Sequence, residues 1–134
     1  MRCDVTRRRR TDPMSISRAA DFAYSARKSV DAREALEDPN ATLYCLDLAR
    51  RQAIFVECDS GIRLEDYPFY YQGQFANARR AILVPLEAFH SVAISRGDRF
   101  QHVVLIHSVG RCGSTLLSRM FGASGACLSR SEPD

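Results

Sequence analysis

The stretch His107-Ser108-Val109-Gly110-Arg111-Cys112-Gly113-Ser114-Thr115 brings together two glycines, an arginine and two adjacent hydroxyl residues. Glycines let a backbone turn tightly, so that successive N–H groups point at one ligand. A helix starting behind them adds unsatisfied N–H groups and the positive end of its dipole. Arg111 supplies a permanent cation that can grip two oxygens at once. Ser114 and Thr115 supply hydroxyl donors. Such a loop suits a phosphate or a sulfate-like group.

The elements around the loop are expected to position it. His102-Val103-Val104-Leu105-Ile106 is a short apolar run of the kind that forms a buried parallel strand. Leu116–Phe121 reads as a helix ended by Gly122, and Ala126–Ser129 as a second strand. Strand, glycine loop, helix and strand is the context in which phosphate loops occur. The nucleotide triphosphatase version requires Lys directly after the second glycine of G-x-x-x-x-G-K-[ST]. Ser114 stands there instead, and Gly110 and Gly113 are too close together, so a magnesium–ATP site is disfavoured.

Gly110-Arg111-Cys112-Gly113-Ser114-Thr115-Leu116-Leu117 resembles the 5′-phosphosulfate loop of the sulfotransferase family, in its arginine-bearing form. The resemblance covers residues 102–134. It implies transfer of a sulfonyl group from 3′-phosphoadenylyl sulfate to a hydroxyl or amine, with no metal required. It further implies that Gly110, Arg111, Cys112, Gly113, Ser114, Thr115 and Leu116 hold the donor, with Arg111 stabilising the departing phosphate. Cys112 fills a place that is usually small and polar. Ser131-Glu132-Pro133 resembles the segment that carries an acidic residue in protein-tyrosine sulfotransferases, which makes Glu132 a candidate general base. A helix-start role beside Pro133 is the alternative for Glu132.

Upstream, Ser15–Asp38 reads as one amphipathic helix, with Ile16, Ala19, Ala20, Ala23, Ala26 and Val30 at three/four spacing. Thr42–Leu46 and Ala53–Cys58 read as two strands of a hairpin around the polar turn Asp47–Gln52. Tyr67-Pro68-Phe69-Tyr70-Tyr71 clusters aromatics that cover a core, line an acceptor pocket or stack a base. Ala78–Val84 is ambiguous between strand and helix. Pro85 opens a helix over Leu86–Ser95, and Gly97 closes it.

Residues 1–12 hold Arg2 and Arg7–Arg10 against Asp4 and Asp12, so the whole net charge of +3 sits there. This end reads as a disordered basic tail over 1–14. An arginine run of this kind also permits a nucleic-acid or partner-binding module. No apolar stretch follows it as in a secretory signal, and none reaches the length of a membrane span, so a cytoplasmic protein without membrane contact is expected. The five cysteines lack CxxC spacing, and His90, His102 and His107 form no metal-ligand set. The expected fold is α/β: an N-terminal α+β region over 15–101, then the first β-loop-α-β unit of a phosphate-loop parallel sheet over 102–134. That unit is too short to complete such a sheet, which is the pattern of a fragment of a longer enzyme. A degenerate phosphate-loop kinase or hydrolase is the rival enzyme class, and the acceptor is not legible.

Overall fold

The computed structural model describes residues 1–12, 14–97, 102–109 and 112–130, with backbone alone at 26 and 27. Mixed α and β character is present as expected. Among the described residues five strands form one sheet in the order β2-β1-β5-β4-β3, where β1 is Arg2–Arg8, β2 Phe22–Lys28, β3 Ala41–Asp47, β4 Gln52–Glu57 and β5 Arg80–Pro85. Every pairing is antiparallel. The helices are α1 (Ala32–Glu37), α2 (Tyr70–Asn77), α3 (Leu86–Arg96) and α4 (Ser114–Ala123).

β4 lies inside the sheet, and Ala53, Ile54, Phe55 and Val56 are all buried. Side chains alternate across a strand, so both faces must be covered. On one face Ala53, Phe55, Ile82 and Val84 pack with Ala35 and Leu36 of α1 and Phe89 of α3. On the other, Phe22, Tyr44 and Val56 pack with Ala78 and Phe75. The β3–β4 hairpin stands where the two strand-like runs were read. The ambiguous run before Pro85 is β5, because its residues pair with β4 and β1 and turn Ile82 and Val84 to one face. Pro85 precedes α3, and Gly97 ends it at φ 63°, a left-handed conformation that favours glycine.

Three expectations are corrected. Ser15–Asp38 is not one helix: a 3-10 turn at Ala19–Asp21 leads into β2, and only α1 is helical. Phe22 and Tyr24 alternate inward against Val5 and Phe75, a period of two that outweighs the weak three/four pattern of alanines. α1 starts where Asp31 accepts a 2.7 Å hydrogen bond from the Arg33 N–H.

The N-terminal residues are not a tail. Arg2–Arg8 is β1, between β2 and β5, with Cys3 buried against Ala81 and Leu83. Long-range partners hold it: the Met1 ammonium donates to the Leu83 carbonyl at 2.6 Å. Arg2 reaches Asp38 at 2.9 Å and the buried Glu57 at 2.5 Å. The arginine run is divided between structure and solvent. Arg8 donates through Nε and Nη2 to the Ala78 carbonyl at 3.2 and 2.7 Å. The Arg10 guanidinium lies 4.6 Å from the Tyr71 ring centre and 5.9 Å from that of Phe75. Arg7 and Arg9 are exposed.

The third correction concerns the strand before the loop. Residues 102–109 carry no strand, and Val103, Val104, Leu105 and Ile106 are 56–80% exposed. Ala126–Ser129 is likewise not a strand. A parallel strand apolar on both faces is stable only between neighbouring strands and under covering layers. No described strand pairs with 102–106, so the parallel sheet is not formed among the described residues.

Candidate functional site

The described part of the loop ends at Gly113, which caps α4 with φ 89° and ψ 14°. An added Cβ would meet nothing within 4 Å, so glycine is required there by conformation rather than by space. The Leu117 N–H closes the first turn on the Gly113 carbonyl at 3.0 Å. Gly113 itself offers no capping side chain. Of the first-turn amides of α4, that of Ser114 points at the Cys112 thiol, and the positive end of the dipole opens on the loop. Ser114 and Thr115 are half-buried in that turn, and Leu116 is exposed. Gly110, Arg111 and Glu132 lie outside the described residues.

Cys112 is exposed. Its thiol is held below the ordinary range, first by a hydrogen bond with the Ser108 side chain and then by the Ser114 backbone N–H. The loop thus already collects donors around one atom able to carry negative charge. Cys58 is the opposite case, since burial pushes its thiol up to about 11. A thiol with a lowered pKa keeps its reactive thiolate to lower pH. Alkylation by iodoacetamide at pH 7.5, mapped by peptide mass, is therefore expected at Cys112 well before Cys58. Ser108→Ala is expected to move the pH midpoint of Cys112 alkylation upward. Equal rates at the two cysteines would contradict the hydrogen-bonded geometry.

Behind the loop, α4 turns its small and polar side toward the sheet domain. Arg119 donates to the Asp66 carbonyl at 3.3 Å. The Ser118 and Ser129 hydroxyls are 2.8 Å apart. Arg130 reaches Glu65 at 3.1 Å and lies 4.8 Å over the Tyr70 ring. The opposite side, with Leu116, Leu117, Met120 and Phe121, is exposed.

A cleft of about 390 Å³ lies between α4 and the 3-10 turn Leu64–Asp66, with Arg63, Asp66, Tyr67, Tyr70, Thr115 and Arg119 among its walls. Gly73 lets the Tyr67 ring lie against α2, where a Cβ would come within 2.8 Å of it. The Tyr67 hydroxyl accepts from Asn77 Nδ2 at 2.9 Å. Burial raises the Tyr70 phenol above its usual pKa.

Cys112, Gly113, Ser114, Thr115 and Leu116 thus stand at one helix end, with Ser114 and Thr115 inside the first turn of α4 rather than in the loop before it. Ser108, Arg63, Asp66 and Arg119 were not singled out from the sequence. The aromatic cluster Tyr67–Tyr71 was the one signal pointing toward this cleft. Among the described residues no group of His, Cys, Asp and Glu converges as a metal site, and no helix is long and apolar enough to cross a membrane. No protein-family model, no curated protein and no solved structure matches this chain.

Proposed function

We propose that the segment His107–Leu116 grips the 5′-phosphosulfate end of a 3′-phosphoadenylyl sulfate donor, for transfer of its sulfonyl group to a hydroxyl or amine. The observation that carries this reading is the left-handed Gly113 opening α4, with Ser114 and Thr115 in the first turn and the Ser114 N–H aimed at the Cys112 thiol in the loop. That arrangement presents N–H groups and hydroxyls to an anion.

In the reaction proposed, the acceptor oxygen or nitrogen attacks the donor sulfur as the bond from sulfur to the bridging oxygen breaks. The electron pair goes to the phosphate oxygen, where Arg111 and the first-turn amides stabilise it. This is preorganised electrostatic stabilisation of developing charge. Glu132 takes the acceptor's proton.

Adenosine 3′,5′-bisphosphate, the product that keeps the gripped phosphate, is the probe. Calorimetry on the full chain is expected to show saturable binding, and Arg111→Ala is expected to weaken it. Loss of a charge-assisted hydrogen bond is worth about 1.5–3 kcal/mol, or roughly 10- to 100-fold in affinity. Magnesium–ATP is expected to bind more weakly than the bisphosphate, because the loop lacks the triphosphatase lysine. Absence of bisphosphate binding, or unchanged affinity in Arg111→Ala, would falsify the reading.

A further inference from the structure

We infer that the cleft between α4 and the Leu64–Asp66 turn is the acceptor side of this site, and that it takes a small hydroxylated molecule bearing one carboxylate. The inference rests on the donor reading of the His107–Leu116 loop. Position is the first argument. Thr115 stands in the first turn of α4 and also lines the cleft. A molecule in the cleft is therefore adjacent to whatever the helix end holds.

Charge is the second argument. The carboxylates along the cleft are engaged: Asp66 pairs with Arg63 at 3.8 Å, and Glu65 with Arg130 at 3.1 Å. Among the described residues Arg119 has no carboxylate within ion-pair distance, and its guanidinium donates to a backbone carbonyl. Among the described residues the wall therefore carries one cation, Arg119, that no carboxylate pairs with. A single carboxylate balances it and can take its two-pronged donor geometry. A doubly charged group would place the excess charge beside Glu65 and Asp66.

Shape is the third. The Tyr67 ring is held from behind by Gly73 and at its hydroxyl by Asn77, so it offers a fixed flat wall. About 390 Å³ is at the small end of ligand pockets, which favours a one-ring or short-chain molecule over a polymer.

The test is a titration of the nitrogen-15-labelled full chain with 4-hydroxybenzoate, read by amide shifts. The matched neutral probe is 4-hydroxybenzyl alcohol. Saturable shifts at Asp66, Thr115 and Arg119 are expected with the acid. The alcohol is expected to bind at least tenfold more weakly. Arg119→Leu is expected to weaken the acid tenfold or more. Gly122→Phe places a ring in the cleft from a position where a Cβ has room, 3.9 Å from the Ser129 Cβ, and is expected to abolish binding of both. The dispersion of each variant's spectrum checks that it is folded. Adenosine 3′,5′-bisphosphate is titrated separately into the unmodified chain. If the bisphosphate binds and the acid does not, or if acid and alcohol bind alike, the cleft assignment fails and the donor reading survives. If the acid binds and the bisphosphate does not, the donor reading fails and the acceptor role falls with it. Binding of neither overturns both.

Discussion

Replacing Phe55 by alanine is expected to lower the unfolding free energy by about 3–5 kcal/mol, whereas Leu105→Ala should leave it within about 0.5 kcal/mol. Phe55 lies on β4, paired with Leu43 of β3 and Ile82 of β5. Its ring packs with Ala35 and stands 6.0 Å from the ring of Phe89. Truncation there opens a cavity under α1 and α3 at once, and close-packed surroundings relax only partly. Leu105 is 79% exposed, so its truncation removes little buried surface. Urea unfolding separates the cases, since a slope of about 1–3 kcal/mol per molar turns the Phe55 loss into a midpoint shift of at least about 1 M. Comparable losses at both positions would mean that 102–106 is built into a core after all.

That contrast also marks where local sequence stops being informative. The hairpin was legible because β-branched and aromatic runs on either side of Asp47–Gln52 need no distant partner to define them. α3 was legible because Pro85 and Gly97 act on their own backbone. β1 was not, because its place depends on Ala81 and Leu83 some eighty positions away. Its arginines also hid the inward pair Cys3 and Val5. β2 was misread because alanine buries too little to weight a helical period against the alternation of Phe22 and Tyr24. Val103–Ile106 carries the opposite lesson, as an apolar run has strand propensity but no ladder unless neighbours lie beside it. At the candidate site a helix behind the glycine loop was legible, but its start was read at Leu116, whereas α4 begins at Ser114 with Gly113 before it. Arg119 and Asp66 were not legible, since they meet only once α4 lies beside the Leu64–Asp66 turn.

The N-terminal correction has its own thermodynamic test at Asp21. This buried carboxylate accepts from the Tyr44 hydroxyl at 2.7 Å and from the Arg18 N–H at 3.0 Å, and it faces Arg10 Nε at 4.0 Å. Tyr44 is itself buried, and burial followed by this hydrogen bond raises its phenol above the ordinary pKa. Asp21→Ala removes an acceptor from Tyr44, a cap from the turn before β2 and a carboxylate from beside Arg10. Each lost buried hydrogen bond costs about 1–3 kcal/mol, and breaking a buried ion pair about 3–5 kcal/mol, with overlap between them. A total loss of about 3 kcal/mol is expected, against domain stabilities of about 5–15 kcal/mol. Asp21→Asn keeps an oxygen acceptor and loses the charge, so a smaller loss of about 1–2 kcal/mol is expected. In a double-mutant cycle with Tyr44→Phe, two residues that share a hydrogen bond should couple by at least about 0.5 kcal/mol. Were the first fourteen residues a solvated tail, Asp21 would lack Arg10 as a neighbour, and Arg10→Ala would leave the Asp21→Ala loss unchanged. With Arg10 set between Asp21 and the Tyr71 and Phe75 rings, removing Arg10 first should shrink that loss, because no cation then remains to be stranded.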